Sequence, residues 1–252
     1  MLEVGFETLL LLLAAGFVAG FMDAVAGGGG LVTVPVLLLA GANPITALAT
    51  NKIQGLFGAG TAALSYARGG HVNLREQGRA AAIAFVASIA GALLVTVLPT
   101  GWIRMILPLL LIGIAGFFAT KKGLDDGDRV RRLSPMLFAA TMVPLCGAYD
   151  GLLGPGAGSF YMLAFVSMAG YGILKATAHT KLLNLASNAG ALLAFAFVAT
   201  PWWITGLAMG MAQIAGAAAG AKMAQKQGSR LIKPLLVITS VTLAVKLLWD
   251  MF

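Results

Sequence analysis

Apolar residues in this chain come in long runs separated by short polar joints. Ten runs are visible, at about 6–25, 28–41, 45–67, 79–98, 101–120, 135–153, 156–170, 174–199, 202–222 and 230–250. They lack the period of two that a barrel strand needs, as AAAIAFVASIAGALLVTVL at 80–98 illustrates. Most are close to the roughly 20 residues with which a helix crosses the hydrocarbon core of a bilayer. Helices satisfy their own backbone hydrogen bonds, which lipid cannot do for them. The pattern therefore predicts an all-α polytopic membrane protein with about eight to ten transmembrane segments.

Two runs depart from that length. The second and seventh have about 14 and 15 residues and open on glycine-rich breaks, GGGG at 27–30 and GPGAG at 154–158. Fourteen helical residues rise only about 21 Å, so these segments are predicted to be half-helices that begin inside the protein.

A polar linker, 121–134, divides the ten runs into five and five, giving a first membrane repeat at 1–120 and a second at 135–252. It is expected to be a solvated cytoplasmic loop. The halves are related in sequence. GFMDAVAGGGG at 20–30 aligns with GAYDGLLGPGA at 147–157, which pairs Asp23 with Asp150 and Gly27 with Gly154. ALATNKIQGLFGA at 47–59 aligns with ATAHTKLLNLASN at 176–188 after a two-residue insertion, and pairs Lys52 with Lys181. Five segments is an odd number, so the second repeat must be inverted relative to the first.

Charge supplies the orientation. With the N-terminus outside, thirteen of the seventeen Lys and Arg fall on inner loops, among them Arg68, Arg75, Arg79, Arg129, Arg131, Lys175 and Arg230. Arg104 and Lys246 lie near outer ends, and Trp102, Trp202, Trp203 and Trp249 fall near segment ends, as interfacial anchors do. Both termini are thus expected outside.

Composition excludes other classes. Only 10% of residues are charged and mean hydropathy is +0.91, against about 25% charged in soluble domains. The net charge of +8 comes from loop lysines and arginines, with no basic run interleaved with aromatics, so nucleic acid is not an expected partner. The single cysteine, Cys146, permits no internal disulfide or zinc framework. Residues 6–26 resemble a signal peptide, but Glu3 and Glu7 stand at its start without a positive charge, and the motif around Asp23 recurs mid-chain. They are read as a retained first helix.

The candidate chemistry lies at the breaks. Half-helix N-termini offer free N–H groups and a positive dipole end to an anion, so Gly27, Gly28, Gly29, Gly30, Gly154, Gly156 and Gly158 are candidate substrate-binding positions, with Ser159 beside them. Paired short segments of this kind point to a transporter's midplane site. The competing reading is close packing through small residues. A nucleotide loop is excluded because neither the Lys-Ser/Thr nor the preceding strand is present, and no cofactor or metal is implied.

Charged residues at membrane depth are costly and usually functional. Lys52 and Lys181 are candidates for substrate charge. Asp23 and Asp150 either carry protons or cap the breaks and neutralise the lysines. Asn51, Gln54, Asn184 and Asn188 are polar neighbours; Lys181, Asn184 and Asn188 share a helical face. Interhelical hydrogen bonding is the alternative role for them. His179 is a candidate proton relay, although Thr50 occupies the matching place in the first half. An intramembrane hydrolase using Ser159 and His179 is a distant alternative, and a passive scaffold leaves the paired charges unexplained.

AGFMDAVAGGGGLVTVPVLL, NPITALATNKIQG, YDGLLGPGAGSFY and LKATAHTKLLNLASNAG together resemble the TauE/SafE family of sulfite-exporter-like bacterial permeases over nearly the whole chain. The resemblance implies export of sulfur-containing anions such as sulfite or organosulfonates across the bacterial inner membrane, driven by the proton gradient. An anion channel or an importer is the alternative. The expected partners are a small anion, the bilayer, co-transported protons and a second copy of the chain.

Overall fold

The computed structural model describes residues 3–95, 112–113, 116–117, 119–120 and 125–249. The predicted segment at 101–120, with Trp102 and Arg104, lies almost wholly outside them, as do Lys121 and Lys122. The described residues form nine helices and no strands: α1 (Phe6–Ala26), α2 (Gly29–Leu39), α3 (Pro44–Arg68), α4 (Gly78–Leu94), α5 (Pro135–Leu152), α6 (Ala157–Ala164), α7 (Ile173–Val198), α8 (Trp203–Gln227) and α9 (Ser229–Trp249). Helix α6 widens into a π-helical turn, Phe165–Ala169.

Local chemistry sets the boundaries. Asn43 and Ser134 each precede a proline at the first helical position, and their side chains accept from the backbone N–H groups of Thr46 (2.9 Å) and Leu137 (3.3 Å). Helices α1, α7 and α8 are long and apolar enough to cross a membrane, with mean hydropathies of 2.2, 1.4 and 1.3. At 11 residues, α2 rises only about 16 Å.

Polarity is distributed as a lipid environment requires. Leu39, Phe197, Leu11, Val86 and Met211 are exposed, whereas Thr33, Thr50, Gln54, Lys52, Lys181, Asp150 and Ser187 are buried. In water this arrangement would leave apolar area unburied while desolvating charges. It is stable only where the solvent is hydrocarbon.

Helix α1 packs along α8, and α5 along α4; α3 and α7 meet each other at the centre, α3 also lying against α8 and α7 against α4. Small residues allow the close approach. A Cβ on Gly20 would lie 2.8 Å from the Gln213 Cα, and one on Gly147 would lie 3.1 Å from the Ala84 Cα.

Charged loops gather at one end of the bundle. The linker there is exposed yet docked. The Asp126 carboxylate accepts from the N–H groups of Leu174 (3.1 Å) and Ser229 (3.0 Å), and so caps the starts of α7 and α9. Asp128 accepts from the Gly172 N–H at 3.0 Å and from Lys175 Nζ at 2.5 Å. The exposed linker thus also acts as a clasp, because the Asp126 and Asp128 carboxylates adjoin the N-termini of α7 and α9.

Candidate functional site

The two breaks cross at the centre. Asp23 lies in the last turn of α1, Gly27 turns the chain in a left-handed conformation (φ 78°), and α2 begins at Gly29. Asp150 lies in the last turn of α5, Gly154 and Gly156 turn the chain (φ 82° at both), and α6 begins at Ala157. The breaks touch through bare backbone: a Cβ on Gly27 would fall 2.6 Å from the Gly158 Cα. Only glycine fits both the conformation and the contact.

Each lysine reaches across to the other half. Lys52 Nζ lies 2.5 Å from Asp150 Oδ1 and donates to the Asp150 carbonyl at 2.6 Å. Lys181 Nζ lies 3.6 Å from Asp23 Oδ2 and donates to the Asp23 carbonyl. Lys52 thereby satisfies a backbone carbonyl near the C-terminal end of α5, whereas the Asp23 carbonyl accepts from the Gly27 N–H at 2.9 Å as well as from Lys181. The pairs differ in surroundings. Asp150 is 1% exposed and its second oxygen accepts from the Ser187 hydroxyl. The Asp23 carboxylate is 12% exposed and accepts weakly from the Gly29 N–H at 3.4 Å.

Between the crossed breaks lies a cavity of about 30 Å³, space for about two waters. Asp23, Gly27, Gly29, Gly30, Asn51, Asp150, Gly154, Gly156, Gly158, Asn184 and Asn188 line it, all of them candidates from the sequence. Gly55 and Gln213 complete the wall. Asn51 Oδ1 accepts from Thr33 Oγ1 at 2.6 Å, and Gln213 Nε2 donates to Gln54 Oε1 at 3.0 Å, so Gln54 stands one bond behind the wall. Asn188 Nδ2 donates to the Asn184 carbonyl at 2.7 Å.

Other predicted residues lie elsewhere. Gly28 packs against Leu31 and Thr239. Ser159 is buried and its hydroxyl donates to the Ala26 carbonyl at 3.0 Å, tying α6 to the end of α1. The His179 ring packs on Phe165 and Tyr171 at centroid distances of 5.6 and 4.8 Å, near the charged end. Among the described residues no hydrogen bond joins Ser159 to His179, so the nucleophile–base pair that a hydrolase needs is not assembled. Gly55 and Gln213 are the wall residues not expected from the sequence. The signal for Gln213 was a lone amide in the small-residue run GMAQIAGAAAG.

The family model described as "Sulfite exporter TauE/SafE" matches residues 12–247. The chain belongs to that family. It is similar to the "Probable membrane transporter protein ORF9" of Sinorhizobium sp., 51% identical over 99% of this chain and 96% of that one. It is 44% identical to the "Probable membrane transporter protein YfcA" of Escherichia coli (strain K12), over 92% and 86% of the two chains. A "Probable membrane transporter protein" of Haemophilus influenzae is 39% identical over 99% and 98%. No solved structure matches. The chain is therefore a multi-pass membrane protein of a transporter family, and the crossed breaks are its candidate site.

Proposed function

We propose that the chain is a secondary transporter that exports small sulfur-containing anions, such as sulfite or organosulfonates, coupled to the proton gradient of the bacterial inner membrane. The observation that carries this reading is the crossing of two half-helix N-termini over a polar cavity, with a lysine–aspartate pair on either side. First-turn N–H groups of α2 and α6 supply donors and positive dipole ends. Asn51, Asn184, Asn188 and Gln213 supply side-chain amides. The family's description supports sulfite and export.

The charges give a route to coupling. Two lysines and two aspartates balance, so an entering anion brings an uncompensated negative charge into a desolvated site. A lysine that turns to the anion leaves its carboxylate unpaired. A proton on Asp23 or Asp150 removes that cost, so anion binding and proton binding are linked. A dianion leaving with one proton still carries net negative charge outward, the direction that an inside-negative potential favours.

Inverted repeats make the site accessible from alternate sides by rocking about it. The packing supports the repeat, because Gly20 meets Gln213 as Gly147 meets Ala84, and Phe21 meets Gly220 as Ala148 meets Gly91. Gly20 and Phe21 align with Gly147 and Ala148, and their partners keep the spacing that pairs Lys52 with Lys181. Clustering of Arg68, Arg75, Arg79, Arg131, Lys175, Lys226 and Arg230 at one end supports a cytoplasmic assignment for it and external termini.

Counterflow in proteoliposomes tests the proposal. Labelled sulfite should enter sulfite-loaded vesicles saturably, and an imposed pH gradient should change the rate. Non-saturating flux independent of the gradient would indicate a channel and refute the coupled carrier.

A further inference from the structure

A second and larger cavity lies at the charged end, well separated in kind from the site between the breaks. It measures about 620 Å³ and opens between the N-terminal ends of α4 and α5, under the linker. Its walls are mainly apolar, with Ile83, Leu133, Phe138 and Phe165 prominent, while Arg79 and Arg131 stand at the rim. Both arginines are exposed, and neither is paired with a carboxylate among the described residues. The rim also carries Glu76, whose carboxylate accepts from Asn73 Nδ2 at 2.8 Å.

One polar group inside is unsatisfied. Gln77 lines the cavity and is only 9% exposed, yet its side-chain oxygen is buried and has no hydrogen-bond partner among the described residues. Leaving such an acceptor unmade costs about 1–3 kcal/mol, so a ligand bearing a donor is expected there.

We infer that this cavity binds an anionic phospholipid whose headgroup carries hydroxyls, with its phosphate on Arg79 and Arg131, a headgroup hydroxyl donating to Gln77 Oε1, and an acyl chain along Ile83 and Phe138. Basic pockets between transmembrane helices at the cytoplasmic surface hold anionic headgroups for the same electrostatic reason. The volume falls within the range of small-molecule sites. Met136 is 83% exposed at the same mouth, so the apolar wall continues onto the lipid-facing surface, where a chain can enter sideways. The donor requirement at Gln77 favours phosphatidylglycerol over phosphatidic acid.

Native mass spectrometry of the full chain released from detergent tests this with phosphatidylglycerol, phosphatidylethanolamine and phosphatidic acid as probes. The wild type should retain phosphatidylglycerol over phosphatidylethanolamine, and the double variant Arg79→Gln/Arg131→Gln should retain on the order of tenfold less. Gln77→Leu should lower retention of phosphatidylglycerol and leave phosphatidic acid unchanged. Ile83→Trp, which fills the cavity without altering charge, should displace the lipid even if the arginine variant folds poorly. Equal retention of phosphatidylethanolamine, or undiminished phosphatidylglycerol in both the arginine and the Ile83→Trp variants, would overturn the inference. So would competition by soluble glycerol phosphate as strong as that by the lipid, which would assign the site to a chainless anion.

Discussion

Replacing Lys52 by methionine keeps the length of the side chain and removes its charge. Lys52 is 1% exposed, and both of its acceptors belong to Asp150, itself 1% exposed. The substitution strands a carboxylate whose remaining side-chain donor is the Ser187 hydroxyl, and it leaves the Asp150 carbonyl unmatched. Breaking a buried ion pair from one side costs about 3–5 kcal/mol. For a chain of this size about 1 kcal/mol corresponds to about 2–4 °C, so the Tm should fall by about 6–20 °C. The double variant Lys52→Met/Asp150→Leu removes both charges and should recover most of the loss, because an apolar pair often replaces a buried ion pair at little cost. Lys181→Met should be milder, since the Asp23 carboxylate is farther from its lysine, at 3.6 Å, and partly exposed. Thermal unfolding in detergent, followed by tryptophan fluorescence, compares the three variants with wild type. A Lys52→Met protein as stable as wild type, or a double variant less stable than Lys52→Met, would refute the crossed-pair account.

Four further outcomes follow from the same geometry. Gly27→Ala and Gly158→Ala should fail to fold or lose several kcal/mol, about the range for overpacking and more, whereas Gly41→Ala, with positive φ and open space, should lose only about 1 kcal/mol; expression and Tm compare them. Gln213→Ala breaks the bond to Gln54 and should cost about 1 kcal/mol in unfolding experiments. Asp126→Ala removes the caps of α7 and α9 and should cost about 1–2 kcal/mol, read as faster hydrogen exchange at Leu174 and Ser229. At Asp128 burial pushes the carboxyl up, but Lys175 and the Gly172 N–H outweigh it and hold it below the ordinary range. A depressed carboxylate stabilises the fold above its unfolded pKa and loses that effect as pH falls through the folded one. The protection factor at Gly172, the exchange rate relative to the free amide at the same pH, should therefore fall only at acid pH, and Asp128→Asn should abolish that dependence.

Much of the architecture is legible in the sequence because lipid reduces it to run length and interruption. The ends of α1, α3, α5 and α7 fall within a residue or two of the apolar runs, where Asn43, Ser134 and the glycine breaks leave few alternatives. The cavity wall was legible for a related reason: a repeated glycine cluster beside a repeated acid is an unusual coincidence in an apolar chain. The exchange of partners was not. Each half holds its own Asp and Lys, and local order cannot say that Lys52 meets Asp150 rather than Asp23; only the crossing of the breaks decides it. Gln213 was hidden because a single amide in an alanine–glycine helix reads as packing. His179 stands two positions from Lys181, about 200° around the helix, so its separation from the lysine's side follows from helical geometry. The linker's clasp needed knowledge of which helix N-termini lay within reach of Asp126 and Asp128.

The central claim is that a small anion sits between the crossed half-helices on the amides that line them. Equilibrium binding of labelled sulfite to the purified protein, wild type against Asn184→Ala/Asn188→Ala, tests it most directly. Loss of two hydrogen bonds to a charged ligand should weaken binding by about 3–6 kcal/mol, beyond detection in most assays, while the lost Asn188–Asn184 bond lowers stability by only about 1–2 kcal/mol and leaves the unliganded protein folded. Sulfite affinity equal to wild type in that variant would place the anion elsewhere and contradict the account.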